Sequence, residues 1–283
     1  MISDGFQLGP YTVRKALGHG VTAHVYYGWD PKAHVPVALK VLNSNLSRDS
    51  SLVTMFEEEG RTGLSVNSPQ IVKTLMMGNQ GGYRFIAFEY IHGVPLDRII
   101  PLVEAEAVWV LRHMAQAVRE LSLKGIVHQD IKPENILIEK TGNCKLSDLG
   151  FARVKYGRIK WDGYSAGTSF YMSPEQCQPG LRLPIDTRSD LYALAAVIYH
   201  AATGTPPFVA EDDEKIREMQ IRNRVPPPIQ RNPALSPPFS DLLLRMLSKD
   251  PEKRIQTPEQ LLLEIRRIPV KAEPPTVTIT EIS

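Results

Sequence analysis

The chain has 283 residues, 42% hydrophobic and 23% charged, with a net charge of +2. That length buries a sizeable core in one bilobal domain or two modest ones, and the composition is that of an ordinary globular protein. The balanced charge excludes the overall basic signature of a nucleic-acid binder, and two cysteines, Cys144 and Cys177, are too few and too far apart for a disulfide framework or a zinc knuckle. The opening MISDGFQLGPY lacks the basic patch and apolar core of a secretory signal, and the longest apolar runs fall short of the roughly 20 residues that span a bilayer. A cytoplasmic setting, with neither nucleic acid nor membrane as a partner of this stretch, is the expectation.

Residues 11 to 42 alternate apolar and polar side chains around turn signals and predict three antiparallel strands. Residues 50 to 66 have apolar positions at helical spacing behind serines able to cap a helix, and IVKTLMMG and YRFIAFEYI return to strand character on either side of the hairpin signal NQGG. The pattern changes near Tyr90 to Pro95. EAEAVWVLRHMAQAVRELSLKG predicts a long amphipathic helix ending at glycine, SDLYALAAVIYHAATG a buried helix, and PPFSDLLLRMLSKD and TPEQLLLEIRRI two amphipathic ones. The fold class read from this order is α+β, with a strand-rich N-terminal part and a helical C-terminal part. The Pro- and Thr-rich end, residues 269–283, reads as a flexible tail or linker.

Chemistry concentrates in a few stretches. LGHGVTAHVYYG places Gly18 and Gly20, flanking His19, and then Ala23, in a strand–turn–strand where backbone N–H groups can approach phosphate; a plain glycine hairpin is the simpler reading. In VALK, Lys40 stands among Val37, Leu39 and Val41, so it either needs an anionic partner or points to water at a sheet edge. Glu59 in EEEGR is the favoured partner by helix length, with Glu57 and Glu58 open as alternatives. HQDIKPEN sets Asp130, Lys132 and Asn135 on a loop. An aspartate there can accept a hydroxyl proton, a lysine can neutralise a migrating phosphoryl group, and an asparagine carbonyl suits Mg²⁺. After one more hairpin comes Asp148 in DLG, placed for a second metal contact.

These stretches, in this order, resemble the eukaryotic-type Ser/Thr protein kinase family over roughly residues 9 to 268, with a texture closest to its bacterial members. The resemblance implies a kinase domain over 1–268, with an N-lobe of a five-stranded antiparallel sheet plus one helix (about 9–91) and a mainly helical C-lobe (about 92–268). It implies ATP and Mg²⁺ as cofactors and transfer of a γ-phosphoryl group to protein Ser or Thr hydroxyls, including the chain's own. Asp130, Lys132, Lys40 and Glu59 take the catalytic places and Asn135 and Asp148 the metal places. Gly18, His19, Gly20, Ala23, Val25, Ala38, Lys40, Phe88, Glu89, Ile91 and Leu137 line the nucleotide. Thr168, with Ser165 and Ser169, falls in the activation segment, while Glu175, Asp190 and Arg254 are structural.

Three departures from the family pattern carry expectations. Gln129 stands where the family has the arginine that meets a phosphorylated activation segment, so activity should depend weakly on that phosphorylation. Gly63 replaces a larger apolar residue and weakens its helix, predicting a mobile helix whose Lys40–Glu59 pair is set by a partner or by self-association. The acidic run Glu211 to Glu214 reads as a solvated loop or as a preference for basic substrates. A nucleotide-binding scaffold without transferase activity is the rival reading.

Overall fold

The computed structural model describes residues 2–154, 168–178 and 184–278. They form two units, Met1–Ile91 with Asp148–Phe151, and His92–Ser147 with Ala152–Ser283.

The first unit is an antiparallel sheet and one helix. Its strands are β1 (Gln7–Leu8), β2 (Tyr11–His19), β3 (Ala23–Asp30), β4 (Val35–Leu42), β5 (Thr74–Gln80) and β6 (Tyr83–Glu89), in the order β1-β2-β3-β4-β6-β5. The five expected strands are all present, and the two-residue β1 extends the edge beside β2. Alternation sets the faces: Val13, Tyr26, Val37, Leu39, Val41 and Phe85 share one core, while Ala23, Leu42, Phe56 and Ile86 form another with Phe88 packed against it. In the β5–β6 hairpin Gly81 and Gly82 have φ of 59° and 82°, the paired positive values that a tight type I′ turn requires.

Helix α1 (Ser50–Ser65) is capped by Asp49, whose carboxylate accepts the N–H groups of Ser51 and Leu52 at 2.9 and 3.2 Å. The cap is therefore an aspartate, one residue ahead of the serines expected to serve. Gly60 and Gly63 lie on the buried face of α1. A Cβ on Gly63 would overlap Thr74 Oγ1 of β5 outright, and one on Gly60 would come within 3.0 Å of Met77 Sδ. Glycine at 63 is thus what lets α1 lie close on the sheet.

The second unit is mainly helical. Helix α2 (Glu104–Leu123) and the almost wholly buried α3 (Thr187–Thr203) end at Gly125 and Gly204, with φ of 68° and 79°, where any other side chain would strain the reversal. Helices α4 (Asp213–Arg222), α5 (Pro228–Arg231), α6 (Pro237–Met246) and α7 (Pro258–Ile265) follow, with α2 lying against α3 and α7. Two small antiparallel sheets, β10-β9-β7 and β11-β8, are built from β7 (Gly93–Pro95), which precedes α2, and from β8 (Ile126–Val127), β9 (Ile136–Glu139), β10 (Cys144–Leu146) and β11 (Arg153–Val154), which lie between α2 and α3.

Two further expectations change here. The acidic run is the start of α4: Asp212 caps it by accepting the Lys215 N–H at 2.7 Å, and Asp213 and Glu214 fill its first turn, where negative charge complements the helix dipole. Residues 269–278, expected to be a flexible tail, pack on their own unit. Glu273 N–H donates to Ala105 O (3.2 Å), Thr276 N–H to Glu106 Oε1 (3.4 Å), and Pro275 and Val277 are buried. Proline favours this ordering, because its fixed φ lowers the entropy lost when the stretch docks.

Candidate functional site

In the first unit the site grows from the parity of β4. Because Val37, Leu39 and Val41 enter the core, Ala38 and Lys40 face the other way. Ladder partners share a face, so Val25 (opposite Lys40) and Phe88 (opposite Ala38) join them. Lys40 Nζ donates to Glu59 Oε1 and Oε2 at 2.7 and 2.8 Å and to Asp148 Oδ1 at 3.1 Å. Of the three candidate glutamates Glu59 is the partner; Glu57 instead meets Arg61 at 2.7 Å. Burial by itself would discharge the lysine, but Asp148 and Glu59 outweigh it and hold the Lys40 pKa above its ordinary value. Asp148 adopts φ of 61° and accepts the Gly150 N–H at 3.2 Å, and the bare Cα of Gly150 makes room beside Asp148 and Glu59.

The glycine hairpin is tied at its tip. Gly20 N–H donates to Ala23 O at 2.9 Å, where a Cβ on Gly20 would crowd that oxygen, while Gly18 borders open space. Asn43, directly after β4, binds three successive tip carbonyls: its N–H reaches Thr22 O (2.9 Å), and its Nδ2 reaches Val21 O (2.7 Å) and Gly20 O (3.3 Å). Reasoning from sequence missed Asn43, since one asparagine after a strand is a common turn residue. Glu89 exchanges two bonds with Lys73, giving its N–H to Lys73 O at 2.9 Å and accepting the Lys73 N–H at 2.8 Å, and Ile91 is buried.

The second unit builds the loop at HQDIKPEN. Asp130 is 3% exposed; its Oδ2 accepts from Lys132 Nζ at 2.8 Å and from Asn135 Nδ2 at 3.2 Å, and Asn135 Nδ2 also reaches Asp130 O at 2.9 Å. The loop hangs from Asp190 on α3, whose carboxylate accepts the N–H groups of His128 and Gln129 at 2.8 and 2.9 Å. Burial raises the Asp190 pKa to about 6 against the pull of His128 and those two N–H groups. His128 Nε2 lies 3.1 Å from Ser147 O, and its Nδ1 faces the Asp130 N–H at 3.3 Å, a pair of contacts that fits only the Nε2–H tautomer. Gln129 has φ of 69°, and its carbonyl accepts Gln176 Nε2 at 2.9 Å, a partner that sequence reasoning also missed.

Glu175 and Arg254 form a bidentate pair, 2.7 Å at both contacts, with Ser189 Oγ donating to Glu175 at 2.6 Å. Leu137 lies on β9 opposite Lys145 and Pro95. Ser169 is buried in the turn Thr168–Phe170, whose carbonyls at Ser169 and Phe170 accept Gln220 Nε2 of α4 at 3.3 and 2.9 Å. Ser165 lies outside the described residues. Among the described residues no helix is long and apolar enough to cross a membrane, and no three His, Cys, Asp or Glu side chains gather as a metal cage. Mg²⁺ needs no such cage, because it keeps waters and shares one or two protein oxygens with phosphates. The Asp148 carboxylate suits that role, as does the carbonyl end of Asn135, whose amide nitrogen is committed to Asp130.

A sheet with one helix and a braced lysine, followed by a helical unit with an Asp–Lys–Asn loop, defines a protein of the kinase-like fold class. The protein kinase domain model matches residues 11–264, so the chain belongs to the protein kinase domain family. It is 32% identical over 285 residues to serine/threonine-protein kinase PknB of Mycobacterium tuberculosis, covering 97% of this chain and 44% of that one. Over 263 residues it is 30% identical to serine/threonine-protein kinase PrkC of Bacillus subtilis, covering 91% and 40%. The chain thus spans less than half the length of these relatives. The crystal structure of the Mycobacterium tuberculosis PknI kinase domain shares the fold with a TM-score of 0.71 at 22% identity, over 94% of this chain and 98% of that one.

Proposed function

We propose that the chain is a Mg²⁺-dependent protein kinase that transfers the γ-phosphoryl group of ATP to Ser or Thr hydroxyls of proteins, itself included, in the cytoplasm. The observation that carries this is Lys40, an ammonium kept charged on the α1 side of the sheet, opposite the Val37–Leu39–Val41 core, and oriented by Glu59 and Asp148. In this role Lys40 binds the α- and β-phosphates, Gly18 to Ala23 cover them, and Val25, Ala38, Phe88, Glu89, Ile91 and Leu137 receive adenine. Asp148 and Asn135 hold Mg²⁺, which supplies neutralisation of charge on the phosphate oxygens. Asp130 orients the acceptor hydroxyl and takes its proton, its carboxylate fixed by Lys132 and Asn135. Thr168 serves the acceptor peptide, with Ser165 and Ser169 beside it in the activation segment. Gln129 brings no charge to reward activation-segment phosphorylation, so phosphatase treatment should leave most of the activity.

The test is transfer of labelled phosphate from ATP with Mg²⁺ to the chain and to a generic basic protein. Label appears on Ser or Thr, and Asp130→Asn and Lys40→Met each reduce it by about 100-fold or more. If the wild type transfers nothing while ATP still raises its melting temperature, the chain is a nucleotide-binding scaffold instead.

A further inference from the structure

His19 and His24 are ladder partners on β2 and β3, either side of the Gly20–Ala23 turn. Their Nδ1 atoms lie 3.3 Å apart, with the rings at 81° and their centroids separated by 4.9 Å. That spacing is within hydrogen-bond reach if one ring carries its proton on Nδ1, and with both Nδ1 atoms unprotonated it leaves two lone pairs side by side. It matches the roughly 3.3 Å that separates two imidazole nitrogens each about 2.05 Å from one tetrahedral Zn²⁺. The placement is imposed by the backbone: the Gly20–Ala23 bond and the clasp of Asn43 set the turn, and the strand register sets the two rings side by side. By alternation from Val25, His24 projects on the opposite side of the sheet from Lys40, next to Tyr26, whose ring it meets edge-on at 6.4 Å. His19 is exposed and His24 half-buried, so the pair stands at the surface of the sheet.

We propose that His19 and His24 form a two-imidazole site for a divalent transition ion of borderline softness such as Zn²⁺, with the remaining positions filled by water. Mg²⁺ is a hard ion that takes oxygen ligands and does not compete there. The site exists independently of the kinase reading. Its consequence rests on that reading: an ion bridging β2 and β3 stiffens the hairpin that would cover the phosphates.

Calorimetric titration of ZnCl₂ into the chain, without nucleotide, phosphate buffer or chelator, tests the site apart from catalysis. Wild type is compared with His19→Ala, His24→Ala and the milder His24→Gln, each shown to be folded by circular dichroism. The expected result is saturable Zn²⁺ binding weakened by about tenfold or more in every variant, a Mg²⁺ titration that is the same for the variants as for the wild type, and Zn²⁺-dependent slowing of hydrogen exchange at the Val21 and Thr22 amides. Zn²⁺ affinity unchanged in the variants would put the metal elsewhere and overturn the proposal, as would the absence of saturable binding to the wild type.

Discussion

Arg254 has no exposed side-chain surface, and its guanidinium grips a Glu175 carboxylate that is 1% exposed. A buried charge left without its partner is far more costly than the pair is favourable, and lysine cannot reproduce the two-pronged geometry. Arg254→Leu, which leaves the Glu175 carboxylate buried without a counter-charge, should therefore lower stability by about 3 kcal/mol or more, and Arg254→Lys by less, each read as a drop in the urea midpoint. Lys249 poses the opposite case. Its ammonium sits 4.3 Å over the Phe208 ring and 3.1 Å from Tyr192 Oη, and burial, with Arg254 adding to it, lowers its pKa to about 7. A folded-state pKa below the ordinary lysine value of 10.5 means that stability is lost as pH falls from that value through about 7. Lys249→Met should raise the melting temperature by about 2–4 °C at pH 7, and the advantage should shrink as the pH approaches roughly 10. An advantage that is flat with pH would show that the lysine is not desolvated in solution.

At the scale of elements, the seat of α1 on β5 is decided by two glycines and a threonine. Among the described residues Thr74 Oγ1 is buried without a hydrogen-bond partner, and it occupies the space a Gly63 side chain would need. Gly63→Ala gains about 1 kcal/mol of helix propensity, but overpacking costs about 1–3 kcal/mol. The substitution should be neutral to destabilising alone, and Thr74→Ala should then restore stability beyond the sum of the two single effects, measured by a double-mutant cycle in urea. Since α1 carries Glu59, the same variant should weaken the Lys40–Glu59 pair and slow phosphoryl transfer. The strands were legible because alternation and the NQGG turn are local signals. The α1 cap was displaced by one position because both Asp49 and Ser50 have the chemistry to cap, and only the path of the chain selects between them.

At the scale of the whole molecule, residues 269–278 bind α2 through Glu273 and Thr276 and bring Pro274 against Gly142 of the β9–β10 turn. Truncation after Ile268 should cost about 1–2 kcal/mol, chiefly through the loss of Val277 and Pro275 burial, read as a melting temperature lower by a few degrees. Equal stability of the two chains would show that this packing contributes nothing. The sequence by itself determined the five long strands of the first unit, helices α1, α2, α3, α6 and α7, and the motifs that mark the family, because each is signalled by periodicity or by neighbours a few residues away. Only the tertiary structure decided that Glu59 rather than Glu57 meets Lys40, that Asn43 clasps the glycine turn, that Gly63 is a close-packing residue, and that the C-terminal stretch is held. Each of those depends on contacts between residues distant in the chain, where a shift of one residue exchanges one partner for another and no local pattern records the choice.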